Sequence, residues 1–363
     1  MVSKKQHYVP QLLLRRFAVP SGSESRINVY DIEREQYRKN QNIRDVCSGN
    51  YTYSTDESFE KFLSERVESP VGFDIDSLAH AQDRANPRPS PALLRFLLVQ
   101  LSRTRQMYKS SLELMNGGMQ TIFAEMARLN GLDETAARML RLVPSEPRVV
   151  FAYLAAYAAT QYRLIADLKL ALVVNRTKTE FIISDHPVFQ HNWYLRESWH
   201  PMAGSITVRG VQFFLPLTPS VTCCLYDSSV YLYGRATEGV VIHATEEDVN
   251  LLNSFQAINA GSLLLARSAS MEAALRSLGA KYADVTAFVE SATYAPATKR
   301  ADGTLRSTHM VQRTQSKLSA MPKFLKIKNK VRKQPVECVH RNPEVVAAHE
   351  MFDEDLRRNH NVP

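Results

Sequence analysis

The chain lacks most of the patterns that mark a site at sight. It contains no GxxxxGK[ST], no GxGxxG, no GxSxG and no HExxH, so the motif-defined P-loop, dinucleotide-binding, α/β-hydrolase and zincin classes are excluded. Cysteine is sparse, with Cys47, Cys223, Cys224 and Cys338 the four in 363 residues. No pair has zinc-ligand spacing, and this is no disulfide framework. Cys223 and Cys224, adjacent in an apolar run, read as small buried hydrophobes. Long hydrophobic runs are missing too. The longest apolar stretch, between Arg148 and Asn175, is interrupted by Gln161, Arg163, Asp167 and Lys169, which is too polar to span a bilayer. The opening "MVSKKQHYVPQLLLRRF" places two lysines before an apolar patch, but Pro10, Arg15 and Arg16 break it, so a secretory signal is not expected. The expectation is a cytoplasmic protein with no membrane partner.

What is present is an ordinary globular composition, 44% hydrophobic and 23% charged, with an uneven charge distribution. Between Lys299 and Lys333 eleven basic residues face a single acid, Asp302, a local charge of +10 in a chain whose total is +8. The rest is near neutral. A nucleic acid or other polyanion is therefore expected to meet the segment Lys299 to Lys333 first. It holds Phe324 and few other apolar side chains, which suits phosphate attraction without base stacking; a solvated linker explains it equally.

Periodicity predicts an α+β protein: a helical core with small antiparallel sheets, and a basic C-terminal extension. Residues 26–33 and 34–41 read as a β-hairpin, and 50–54 as a third short strand. Helices are expected from Asp56, after the break at 86–91 with Ser90 as cap and Pro91 opening the helix, and over 132–142. The "NGG" at 116–118 is expected to interrupt a helix. Residues 145–174 read as one long helix, and 245–266 as another, capped by Thr245 with Asp248 in its first turn. Strands are expected at 179–189 and as a pair within 210–227. The division expected is one domain over 1–294 and a basic, flexible or folding-on-binding extension over 295–363.

Three stretches carry chemistry. In "QHYVPQLLLRRF" (6–17), Pro10 biases Val9 to extended geometry and opens a helix. His7 and Tyr8 precede that helix, whose dipole favours an anion, and Arg15 lies farther along it. His7 is then an acid or base in an anion site, or else Tyr8 packs and His7 makes one buried hydrogen bond. In "FIISDHPVF" (181–189), an apolar strand delivers Ser184, Asp185 and His186 to a turn. Asp185 beside His186 suits a general base or a metal-ligand pair; a turn in which Asp185 caps backbone amides suits it as well. In "LLVQLSRTRQMY" (97–108), Gln100 and Arg103 share a helix face beside Leu97 and Leu101. If that face is buried, the arginine needs a carboxylate, a phosphate or carbonyls; a wet amphipathic face is the alternative.

Together "QHYVPQLLLRRF", "FIISDHPV" and "FFLPLTPS" make the chain resemble the bacterial DUF4238 family, a domain of unknown function marked by an N-terminal HYVP motif. His7, Tyr8, Val9, Pro10, Leu14, Arg15 and Phe17 match the opening motif, with Leu13 in place of a tyrosine. Ser184, Asp185, Pro187 and Val188 match the strand-end motif, with His186 at its variable place. Gln100, Arg103, Thr104 and Asn253 also look similar. The resemblance spans about residues 3–270. It implies that His7, Arg103 and Asp185 share one place, and it implies no activity. Two functions are expected to compete. One is a hydrolase or nuclease acting on a phosphate ester or nucleic acid. There His7 serves as acid or base, Asp185 orients it or holds a divalent metal, and Arg103 neutralises developing charge. Tyr8, Arg15, Gln100, Ser184, His186 and Asn253 would bind substrate. The other is a non-catalytic module binding nucleic acid or protein.

Overall fold

The computed structural model describes residues 5–50, 58–80, 88–131, 147–198, 200, 202–234, 240–285, 287–299 and 305–359, with 133, 135 and 139 besides. The chain begins with β1 (Lys5–His7), the single-turn α1 (Gln11–Leu14), β2 (Val19–Ser21), β3 (Glu24–Asp31), β4 (Gln36–Asn42) and β5 (Ser48–Asn50). A helical stretch follows: α2 (Ser58–Phe62), a π turn (Leu63–Glu68), α3 (Ser69–Ala79), α4 (Pro91–Ser102), α5 (Arg105–Leu129) and α6 (Pro147–Thr160), which ends in a 3₁₀ turn (Gln161–Ile165). The second strand-rich part holds β6 (Lys169–Val174), β7 (Ile183–Ser184), β8 (Phe189–His191), β9 (Gln212–Thr218), β10 (Val221–Tyr226), β11 (Tyr231–Tyr233) and β12 (Val240–His243). Then come α7 (Glu246–Asn259), β13 (Leu263–Ala266), α8 (Glu272–Tyr282), β14 (Phe288–Lys299), β15 (Leu305–Gln315), β16 (Leu325–Ile327), α9 (Asn329–Arg332) and α10 (Pro343–Asn359). This is an α+β fold.

Two five-stranded sheets organise it. The first runs β12-β6-β10-β9-β8, antiparallel except for the parallel pair β12–β6. Both of its faces are covered. Leu170, Leu172, Phe213, Leu215, Cys223 and Leu225 enter the core shared with α1, α4 and α6. Their neighbours Ala171, Val173, Phe214, Cys224 and Tyr226 enter a second core with Val249, Leu252 and Phe255 of α7. The period-2 alternation of a strand thus sends Cys223 and Cys224 to opposite cores, both fully buried as small hydrophobes. The second sheet runs β2-β3-β13-β7, with β4 on the other side of β3 as the expected hairpin.

Burial on both faces explains two departures from the sequence reading. Residues 169–174 form β6 rather than the end of a helix, and 263–266 form β13 rather than the end of α7. A strand with two covered faces is a continuous apolar run, which periodicity cannot separate from buried helix. The "NGG" does not break the third long helix: α5 runs through it for 25 residues, packed along β14. Each glycine costs only about 1 kcal/mol in a helix interior. The strand expected at 50–54 and the helix at 132–142 fall largely outside the described residues. The caps are as expected: Leu93 N donates to Ser90 Oγ at 3.0 Å, and Thr245 and Asp248 form a reciprocal box.

The basic C-terminal segment does not run free of the body over its second half. Phe324, Leu325 and Val331 join the core of α7, and Gln315 and Asn192 exchange two hydrogen bonds of 2.7 Å. A few apolar side chains among the lysines are enough to fold the segment onto the body.

Candidate functional site

The first residues are part of the fold, because β1 pairs with β5 and Tyr8 N donates to Cys47 O at 3.0 Å. Pro10, at φ −66° and ψ 146°, caps α1 through its carbonyl. Since α1 spans only four residues, its dipole is too short to hold an anion; the expectation of a helix-dipole site is corrected. The motif instead lies along a cleft. Val9, Leu13, Leu14 and Phe17 are fully buried, which leaves His7 half-buried and Arg15 exposed on the other side.

The cleft has a volume of about 530 Å³ and is lined by Lys5, His7, Gln11, Arg15, Glu60, Ser64 and Glu68 among others. Its far wall is the π turn, and the sequence explains why it forms there. Pro70 lacks an N–H and crowds the carbonyl four residues before it, so the helix widens ahead of it. Ser69 N accordingly donates five residues back, to Ser64 O. On an unbroken α-helix Glu60 and Glu68 would lie about 80° apart; with the wide turn both face the cleft.

Behind Glu68 stands a buried relay. Gln100 Nε2 donates to Tyr8 O at 2.9 Å, and Gln100 Oε1 accepts from Arg103 Nε at 2.9 Å. Arg103 Nη1 then donates to Glu68 Oε1 at 2.7 Å. The Arg103 side chain has no exposure and that of Glu68 has 27%. A cation so buried requires its anion, and the contact with Arg103 holds Glu68 in one orientation. Gln100 and Arg103 thus tie the opening motif to the helix, as the sequence suggested, but act through Glu68.

The electrostatics divide the roles. His7 Nε2 lies 3.2 Å from Ile43 O. A carbonyl only accepts, so Nε2 carries the hydrogen and the neutral ring keeps its lone pair on Nδ1. Burial holds His7 below its ordinary 6.5, and Arg103 and Lys5 push the same way against the Ile43 bond and Glu68. Burial, aided by the charge of Glu68, raises Glu60 above its ordinary 4.5. An imidazole shifted down and a carboxyl shifted up therefore share one cleft. Glu60, Glu68 and Lys5 were not singled out in the sequence; the only signal was Pro70 after a helix rich in glutamate.

Asp185 is not among the residues that line the cleft. It reaches the opening motif through Tyr8 and Cys47: burial raises both groups, and the charge of Asp185 adds to the rise. Its carboxylate accepts from Gly261 N at 2.8 Å, Ser262 N at 3.0 Å and Ser262 Oγ at 3.1 Å. Burial raises its own pKa against these bonds. His186 Nδ1 lies 2.5 Å from Thr104 Oγ1, the hydroxyl that caps α5. Ser184 N and Oγ donate to Gln256 Oε1 at 3.0 and 3.1 Å, and Asn253 Oδ1 accepts from Ile182 N at 3.0 Å. Tyr8, Gln100, Ser184, His186 and Asn253 are all buried, and of the expected substrate contacts Arg15 alone lines the cleft.

The strand-end motif is held by a ladder of side-chain amides that the sequence reading only touched at Asn253. Asn253, Gln256 and Asn259 follow at three-residue spacing on one face of α7. They donate to the carbonyls of Glu180, Pro187 and Val188, each at 2.9 Å. They thus replace the strand that β7, at the edge of its sheet, does not have.

Among the described residues no group of three or more His, Cys, Asp or Glu is arranged to hold a metal ion, and no helix is long and apolar enough to cross a membrane. Comparison with curated proteins and with solved structures returns no match. The family model described as a protein of unknown function, DUF4238, matches residues 5–270. That stretch carries the cleft, the relay and the amide ladder, and the chain belongs to this family.

Proposed function

We propose that the cleft is the acid–base site of a hydrolase acting on a phosphate ester. The observation that carries this reading is the placing of His7, Glu60, Glu68 and Arg15 around one cleft of about 530 Å³, with Glu68 fixed by Arg103 at 2.7 Å. His7 Nδ1 takes a proton from water as its oxygen attacks phosphorus. The ester P–O bond breaks, and the leaving oxygen receives the proton of Glu60. Arg15, which hydrogen-bonds Gln11 at 3.3 Å, meets the phosphoryl oxygens and Lys5 adds charge at the rim. Glu68 stabilises the imidazolium. Arg103 and Gln100 are positioning residues, and Asp185 anchors the turn at 261–262.

The test is turnover of 4-nitrophenyl phosphate and bis(4-nitrophenyl) phosphate. We expect hydrolysis of one of them, with His7→Asn lowering kcat by about 10²–10⁴ at unchanged melting temperature. Turnover indifferent to His7→Asn, or none by the wild type, overturns the reading.

One observation favours a second reading, polyanion binding without chemistry. Lys317 and Lys323 pair with Glu197 and Glu247, but the exposed Lys326, Lys330, Arg332 and Lys333 have no ion-pair partner among the described residues. Binding of single-stranded DNA whose salt slope falls by about 0.7 for each of these charges removed supports it; an unchanged slope removes it.

A further inference from the structure

A second groove lies away from the cleft, where α10 crosses α4 and the 3₁₀ turn after α6. It has a volume of about 440 Å³ and is lined by Arg95, Ala159, Thr160, Tyr162, Arg163, Val345, Ala348, His349 and Phe352. The helix α10 is pinned on both sides of it. Before it, the Arg341 guanidinium holds Asp167 at 2.9 and 3.1 Å and the carbonyls of Leu164, Ile206 and Val208 at 2.9 to 3.0 Å. Toward its end, Tyr157 Oη donates to Asp353 Oδ2 at 2.8 Å. Between these points the helix stands off the body, with Val345 and Phe352 39% and 47% exposed.

The charges in this groove are one-sided. The Arg95 and Arg163 guanidiniums approach one ring, at 4.7 and 5.9 Å from the Tyr162 centroid. Neither has a carboxylate partner among the described residues. Their nearness, led by the hydrogen bond from Arg163, holds the Tyr162 phenol below its ordinary value. Asp353 faces His349 at 3.7 Å and is not part of the wall. Two guanidiniums beside one ring make this end of the groove positive, and guanidinium is matched in shape to a carboxylate. The rest of the wall is apolar, the usual make-up of a small-molecule site with a few convergent polar groups.

We propose that this groove binds a small carboxylate with an apolar body, its charge between Arg95 and Arg163 and its body against Val345, Ala348 and Phe352. The ligand bridges α10, which lies beyond the family-matched residues, to α4, which lies within them. The proposal is independent of the cleft and its chemistry.

The test is titration calorimetry of the full chain with 3-phenylpropionate, its neutral amide and acetate. The acid is expected to saturate at roughly 1 mM. The amide, which lacks the charge, and acetate, which lacks the body, should each bind at least about tenfold more weakly. Arg163→Met and Arg95→Met should weaken the acid about tenfold. Phe352→Ser, at an exposed position that the core does not need, should weaken it as well, which guards against an arginine variant that fails to fold. No binding of the acid, equal binding of acid and amide, acetate matching the acid, or full affinity in Phe352→Ser and whichever arginine variant folds each overturns the proposal.

Discussion

The opening stretch and the strand-end stretch of this chain have opposite fates. The opening motif buries its apolar half and leaves His7 and Arg15 on a cleft. The strand-end motif buries everything, and Ser184, Asp185 and His186 are all engaged in hydrogen bonds within the fold. A polar cluster at a strand end is where sites are often built, but a buried polar group must be satisfied wherever it stands. What separates the two is where the hydrogen bonds go. At His7 one ring nitrogen meets Ile43 O and the residue lines the cleft; at Asp185 both oxygens serve a neighbouring loop.

That contrast can be broken by experiment. The largest effect is expected at Asp185→Asn, which replaces one acceptor oxygen by an NH₂ facing either the Gly261 donor or the Ser262 donors. Setting donor against donor at a buried site costs about 3 kcal/mol of stability, read by urea unfolding, with kcat of the folded fraction unchanged. A fall in kcat at full stability would reverse the roles of the two motifs. Next comes Gln256→Met, similar in length but unable to donate to Pro187 O or accept from Ser184 N. We expect a loss of about 2 kcal/mol and no change at the cleft. The smallest effect concerns pH. With His7 lowered from 6.5 and Glu60 raised from 4.5, the rate should rise as His7 sheds its proton and fall as Glu60 sheds its own. The optimum then lies on the acid side of neutrality. Glu60→Gln should abolish the falling limb and keep the rising one; a limb that persists assigns it to another group.

Much of this was legible beforehand, for identifiable reasons. The caps at Ser90 and Thr245 and the hairpin of β3 and β4 follow from local chemistry, which a sequence carries directly. Gln100 and Arg103 were recognisable as a pair because they share a helix face, and a buried arginine announces the need for an anion. Its identity was not recognisable. Glu68 faces the cleft only because Pro70 widens the helix before it, and no periodicity rule anticipates a π turn. The strands β6 and β13 were hidden for the converse reason, since burial on both faces erases the alternation that identifies a strand. Gln256 and Asn259 looked like the polar side of an ordinary amphipathic helix. Their true partner is an edge strand about 70 residues away in sequence, a long-range fact that no window contains.

The amide ladder of α7 has one more consequence. "FIIS" is a short, uncharged, β-prone run at the border of a sheet, the kind of segment on which foreign strands template. Here two of the main-chain positions a newcomer would need, Ile182 N and Ser184 N, are already taken by Asn253 and Gln256. Side chains occupy that border without offering a fresh border of their own.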